Sequence, residues 1–184
     1  MTLLLFKHDW PRIEVEGNGT IKDQDIEREI CRETLGTTTG FLKFFQPTPQ
    51  FIKWVKWVAG KRQVYDVGAG AGHVTKALLE AGVATVALDA HRHMQPEHPV
   101  LIADGSAYDY DKGSIVMLCR PSHGLFATDV IGRALECGAS KVLYVELERN
   151  AETDLNEYLP RFKKSVPHAG EDGEWVWVLG NKLA

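Results

Sequence analysis

The sequence predicts an α/β fold: a single doubly wound, mostly parallel sheet with helices on both faces, preceded by a short N-terminal extension. Three observations predict it. From residue 63 onward, apolar runs of six or seven residues alternate with stretches of helical period. Those runs are apolar almost throughout, as strands buried on both faces of a parallel sheet are. A glycine-rich turn follows the first run, and the first three runs end at or near acids, Asp66, Asp89 and Asp104. At 184 residues the chain suffices for one well-buried domain and is short for two.

Taken in order, residues 1–40 read as an extension, a candidate lid or substrate wall. "RIEVEGNGTIK" alternates around Asn18-Gly19, a pair that accepts the positive φ angles of a hairpin turn. "DQDIEREICRETLG" suggests a surface helix capped by Asp23 or Asp25, with Ile26, Ile30 and Cys31 as its apolar positions, and "GTTTG" is a joint. The remaining domain, 41–184, opens with "FLKFFQPTPQFIKWVKWVAGKRQ", in which a helix should start near Pro49. Phe51, Trp54, Val55 and Val58 share one face of it. No acid occurs between Leu35 and Gln63, against Lys43, Lys53, Lys56, Lys61 and Arg62. Lysines mixed with aromatics can form a stacking surface for nucleic acid. The helical spacing favours a cover helix that docks its aromatic side on the sheet, although it leaves Phe44 and Phe45 unexplained and puts Trp57 at the edge.

Strands are predicted at 63–68, 84–89, 99–104, 114–119, 141–147 and 174–180, and helices at 73–81, 125–137 and 152–164. Helices between the strands call for right-handed crossovers, and ligands of such sheets bind beyond the carboxyl ends of the strands at the switch point.

Composition narrows the function. Hydrophobic residues make up 44% and charged residues 25%, as in ordinary globular proteins. A net charge of −4 gives no long-range attraction to nucleic acid or anionic lipid. Three cysteines, Cys31, Cys119 and Cys137, suit neither a disulfide framework nor a zinc knuckle and fit a reducing compartment. "MTLLLF" is too short for a signal-peptide core, and no stretch approaches the roughly 20 apolar residues of a membrane span. The expectation is a cytoplasmic protein with no membrane partner.

The turn "VYDVGAGAGH" discriminates among nucleotides. A dinucleotide fingerprint would place its third glycine where His73 stands, and a P-loop would need a lysine that is missing. Asp66, two residues before Gly68, would repel a pyrophosphate and attract a cation. S-adenosylmethionine carries a sulfonium and an ammonium, and its carboxylate can take helix N-terminal N–H groups near Gly72. Asp89, 21 residues after Gly68, stands where an acid accepts ribose hydroxyls. Asp104 can accept an adenine amine, with Gly105 permitting close approach.

At these residues the chain resembles the class I S-adenosylmethionine-dependent methyltransferases. "VYDVGAGAG" matches the family's first motif, "ALDA" its ribose-binding acid and "IADGSAYD" its adenine-side motif, while "IVMLCRP" stands where the fourth strand leads into the active site. The resemblance covers roughly residues 48–147. It implies S-adenosyl-L-methionine as cofactor, held by Asp66, Gly68, Ala69, Gly70, Gly72, Asp89, Ala90, Asp104, Gly105 and Cys119. "FFQPTPQFI" is loosely similar to the segment before the glycine motif in amino-group DNA methyltransferases. Their Asp/Asn-Pro-Pro-aromatic motif is replaced here by Cys119-Arg120-Pro121-Ser122-His123-Gly124, which disfavours DNA amino methylation. Only 174–180 is a clear candidate for the family's C-terminal hairpin.

Methyl transfer is an in-line displacement in which the protein positions the nucleophile and removes its proton where needed. His123 is the candidate base, by its place after the fourth strand and its titration near neutrality, or else a loop histidine bonded to backbone. Arg120 is a candidate for orienting an anionic substrate group, or pairs with an acid. Cys119 reads as strand-end packing, Ser122 lacks a nucleophile-elbow context, and the loop cluster His91, His93, Glu97 and His98 reads as chance rather than a metal site. The acceptor is unspecified, with a small molecule favoured over RNA. The alternatives are a non-catalytic adenosyl-nucleoside-binding module, an RNA or protein methyltransferase, and an enzyme that cleaves the cofactor.

Overall fold

The structure, a computed structural model, describes residues 45–92, 96–121, 125–170 and 172–180. The hairpin and helix expected in 1–40 lie outside them, as do His93 and residues 122–124, and with them the candidate base His123.

The first element, α1 (Pro49–Ala59), starts where the prolines predict. Thr48 caps it by accepting the Phe51 N–H at 3.3 Å, Pro49 opens it without an N–H to waste, and Gly60, at φ 57°, ends it. There follow β1 (Val64–Val67), α2 (His73–Glu80), β2 (Thr85–Asp89), β3 (Leu101–Ile102), β4 (Ile115–Cys119), α3 (Phe126–Glu136), β5 (Lys141–Glu146), α4 (Glu148–Leu155) with a 3-10 turn (Asn156–Arg161), β6 (Lys163–Lys164) and β7 (Trp175–Gly180). The last helical stretch begins four residues before the expected 152. It tightens to 3-10 geometry around Pro160, which has no N–H for an i→i−4 bond.

The seven strands lie in the order β3-β2-β1-β4-β5-β7-β6. β1 to β5 are parallel, and β7 runs antiparallel to both β5 and β6. The ambiguous stretch before β7 thus contributes a two-residue strand, Lys163 and Lys164 facing Val178 and Trp177. The order turns back between β1 and β4, which makes their carboxyl ends the switch point. Among the described residues, the connections on either side of β3 carry no helix. That strand is consequently short, and Leu101 and Ile102 remain 49% and 52% exposed.

Alternation along the central strands feeds two cores. Ile115 and Met117 of β4 face α1 and α2, packing with Phe51, Val55 and Leu78. Val116 and Leu118 face α3 and α4, packing with Val130, Ile131 and Leu155. Phe45, unexplained by helical spacing, is buried and meets Phe51 edge-on at 5.3 Å. Each such side chain contributes roughly 1.5–3 kcal/mol on burial, and together they fix the strand ends that carry the site.

Candidate functional site

Beyond Val67 the chain turns through Gly68, Gly70 and Gly72, all in the left-handed region, at φ 72°, 58° and 79°. Glycine reaches these angles without the Cβ clash that other residues suffer. The Gly68 and Ala69 N–H groups both donate to the Leu88 carbonyl, at 2.9 and 3.0 Å, so the turn is stapled to the end of β2. The Gly70 N–H then donates to Asp89 Oδ2 and the His91 N–H to Asp89 Oδ1, each at 2.8 Å. Two backbone bonds therefore orient the Asp89 carboxylate, while each oxygen retains acceptor capacity for a ligand hydroxyl. Ala90 follows it, half-buried. At Gly72 a Cβ would stand 3.1 Å from the His98 carbonyl oxygen. His73 donates from Nε2 to the Phe45 carbonyl, tying the turn to the segment before α1.

Asp66 differs from its sequence reading. Only 1% exposed, it lies beneath the glycine turn instead of at the rim, because Thr75 of α2 donates to its Oδ2 at 2.7 Å. Burial pushes this carboxyl up to about 6, while the Thr75 bond and His73 hold it down. A carboxyl so buried can act on a group above the turn only by its field and by what it organises.

Asp104 is exposed, and its Oδ1 accepts both the N–H and the hydroxyl of Ser106, at 2.9 and 2.7 Å. Gly105 is pressed against β1, where a Cβ would fall 2.3 Å from Val67 Cγ1. The Tyr110 hydroxyl donates to its carbonyl at 2.6 Å. Tyr110 belongs to a three-ring cluster with Tyr65 and Tyr108, centroids 5.3 to 5.6 Å apart, that the sequence reading missed. Burial pushes the Tyr65 phenol up to about 12, with Asp111 accepting its proton at 2.7 Å, so it remains neutral.

A second group gathers at the ends of β4, β5 and β7. Burial pushes the Cys119 thiol up, reinforced by the charges of Asp66, Glu174 and Glu146, which keeps it a neutral packing group rather than a thiolate. Arg120 has a left-handed backbone, φ 48°, fixed by its N–H donating to Val145 O at 2.8 Å. Of the two uses open to its side chain, the structure has the ion pair: Nη1 meets Asp172 Oδ2 at 3.1 Å and Glu174 Oε1 at 3.4 Å. Glu174 is fully buried, and its Oε2 accepts the Asp172 N–H at 3.2 Å. Gly170 leaves no room for a Cβ, which would fall 2.5 Å from both Glu174 Oε2 and Phe45 Cε2. The Thr48 N–H and hydroxyl both bond to Ala169 O, at 2.9 and 3.1 Å. This corner thus joins residues 45–48, 119–120 and 168–174. Sequence reasoning named Arg120 and Cys119 but missed Glu146, Asp172, Glu174 and Gly170. The available signal was an acid opening the otherwise apolar strand "EWVWVLG".

The loop cluster brings together no metal-binding group among the described residues. Glu97 instead pairs with Lys76 at 3.7 Å.

No family model matches this chain, and no curated protein matches it in sequence. Solved structures do. The 23S rRNA methyltransferase ErmE superposes with a TM-score of 0.52 at 16% identity, over 75% of this chain and 70% of its own. PH1948 of Pyrococcus horikoshii, whose assignment as an RNA methyltransferase is provisional, gives 0.52 at 13% identity, over 89% and 100%. The chain has the class I methyltransferase fold. A third match, the Burkholderia thailandensis 1,6-didemethyltoxoflavin-N1-methyltransferase solved with S-adenosylhomocysteine, gives 0.49 at 14% identity, over 86% and 83%. At such identities the likeness is one of fold alone. No described helix is long and apolar enough to cross a membrane.

Proposed function

We propose that the chain is an S-adenosylmethionine-dependent methyltransferase. The observation that carries this reading is the 2.8 Å bond from Gly70 N–H to Asp89, which joins the glycine turn and the acid of β2 into one unit beside the switch point. The residues fit the cofactor. The turn has no side chains at its three glycines, Asp89 is oriented with acceptor capacity for ribose hydroxyls, and Asp104 with Gly105 can take the adenine edge. The turn, Cys119 and the start of α2 are assigned to the methionine part, with Asp66 setting the local potential.

When bound, the cofactor supplies an electrophilic methyl group on a sulfonium. Held by the glycine turn, Asp89 and Asp104 with Gly105, it would offer that methyl group to an acceptor's lone pair, with S-adenosylhomocysteine as the product to look for. The chain's own task is to align the acceptor at the corner after β4 and, where the acceptor is protonated, to accept its proton, for which His123 is the proposed base.

Calorimetry tests the cofactor assignment. S-adenosylhomocysteine should bind more tightly than NAD or ATP, and Asp89→Ala should weaken it by about 1.5–3 kcal/mol, the scale of a hydrogen bond to a charged group. Tighter binding of NAD or ATP would refute it. His123→Ala should abolish turnover and retain cofactor affinity. Unchanged turnover would move the proton elsewhere, and methylthioadenosine as product would mark an enzyme that cleaves the cofactor.

A further inference from the structure

The outer face of α1 is left over by this account. Its inner face is the cover the sequence reading expected, with Phe51, Val55, Val58 and Ala59 buried. Trp57 points the other way and is 64% exposed, whereas Trp54 is partly buried. Lys53 lies four residues before Trp57 on the same face, Lys56 stands one turn after Lys53 at the edge of that face, where its Nζ would be 3.8 Å from a Cβ at Gly82, and Lys61 and Arg62 follow the Gly60 cap. All four cations are exposed, and none forms an ion pair with a described residue. A single exposed tryptophan needs no explanation. One set near four cations with no ion-pair partner among the described residues, of which only Arg62 is bonded, to the Val58 carbonyl at 3.3 Å, in a stretch with no acid from 36 to 63, does.

We propose that this face docks a single-stranded nucleic acid, with its phosphates on Lys53, Lys56, Lys61 and Arg62 and an unpaired base on the Trp57 ring. The net charge of −4, which weighed for a small-molecule acceptor, averages over a surface whose cations are segregated here. A lipid surface fits poorly, because the apolar face a membrane helix would insert is already buried against the sheet. A protein partner would find one aromatic ring among cations, where interface cores are depleted of charge. Duplex stacks its bases on one another and leaves no face for the ring, whereas an unpaired base offers one.

The face is continuous with the candidate site. Thr48, the α1 cap, is bonded to Ala169 in the Arg120–Glu174 corner, and the helix extends from there for about 16 Å, at about 1.5 Å per residue. A strand laid along α1 would present its next nucleotide at the corner. Calling that strand the methyl acceptor rests on the methyl-transfer reading; the docking itself does not.

The test is fluorescence anisotropy of a labelled 15-nucleotide single-stranded RNA with the full chain, across a salt series. Four phosphate contacts give a log–log salt slope of about −3, which Lys53→Gln with Lys56→Gln should roughly halve. Trp57→Ala should weaken binding about tenfold. Lys112→Gln with Lys163→Gln, which removes the same charge elsewhere on the exposed surface, should leave the affinity unchanged. All variants should keep the wild-type melting temperature. The proposal fails if no binding occurs at 50 mM salt, if the control pair weakens it equally, if Trp57→Ala is silent, or if phosphatidylserine vesicles are retained as strongly as RNA. S-adenosylhomocysteine calorimetry separates the two claims. RNA docking without cofactor binding would overturn the methyl-transfer reading alone, and cofactor binding without RNA docking would overturn this one alone.

Discussion

The two halves of the strand-end rim are built differently. The half over β1, β2 and β3 is held by backbone groups nearer in sequence to what they hold: His91, two residues on, and Gly70, 19 residues back, on Asp89, and Ser106, two residues on, on Asp104. The half over β4, β5 and β7 is held by side chains from far apart, with Arg120 reaching 52 residues to Asp172 and 54 to Glu174. On the proposed reading the first half presents fixed donors and acceptors to a ligand of constant shape, and backbone geometry suffices for that. The second gathers buried or partly buried charges, whose balance depends on every member being present.

The largest effect should fall on the β4–β5–β7 half, the proposed acceptor side, through its foundation. Phe51→Ala removes a fully buried ring that meets Phe45 edge-on, beside Gly170, and should cost about 3–5 kcal/mol in denaturant unfolding. The sequence reading put Trp54 on the same apolar face as Phe51. Trp54 is only partly buried, so its removal should cost clearly less. Equal losses would mean that α1 docks differently.

The next effect sharpens the β1–β2–β3 half, the proposed cofactor side, and is read against pH. The Asp66 carboxyl sits at about 6 in the folded chain against an ordinary 3.8. Between those values the folded state holds a proton that the unfolded state has lost, so stability falls as pH rises through the window. Two pH units amount to on the order of 3 kcal/mol, fully expressed above about pH 7. Asp66→Asn keeps an acceptor for Thr75 and removes the titration. Its unfolding free energy should therefore gain on the wild type as pH goes from 4 to 7, and a constant difference would place the proton elsewhere.

This contrast explains what was legible. The positions of the glycine turn, Asp89 and Asp104 at strand ends could be read because each belongs to a short motif that follows an apolar run. Alternating apolar runs gave the central strands to within a residue or two, since a buried parallel strand needs nothing else. The edges were harder. β3 shrank from the expected six residues to two, and β6 has two, because edge strands carry little apolar pattern. Glu174 and Gly170 were harder to read for another reason: their roles are set by Phe45 and Arg120, which no local window contains with them. Phe45 likewise looked surplus until Phe51 was found opposite it.

A substitution at Gly170 separates the halves. Gly170→Ala forces a methyl group to within 2.5 Å of Glu174 Oε2 and Phe45 Cε2, and overpacking of this kind costs about 1–3 kcal/mol. Turnover should fall, since the corner must shift, while S-adenosylhomocysteine affinity stays within about a factor of three, or ~0.7 kcal/mol. A parallel loss of cofactor affinity would show that the halves are one cooperative unit.

The smallest effect concerns Asp104, on the cofactor side. Its Oδ1 already serves the Ser106 N–H and hydroxyl, so the carboxylate has one oxygen left for an adenine amine, and the side chain is exposed to competing water. Asp104→Asn keeps the turn, because the amide oxygen still accepts from Ser106, and substitutes a donor at the other position. Cofactor affinity should drop by about 0.5–1.5 kcal/mol, less than for Asp89→Ala, whose carboxylate is bonded to the glycine turn itself. Calorimetry with S-adenosylhomocysteine and with an analogue lacking the adenine amine decides the assignment. If Asp104 accepts that amine, the substitution should cost nothing with the analogue. An equal loss with both ligands would assign Asp104 to the turn alone and leave recognition of the base to Gly105 and the backbone around it.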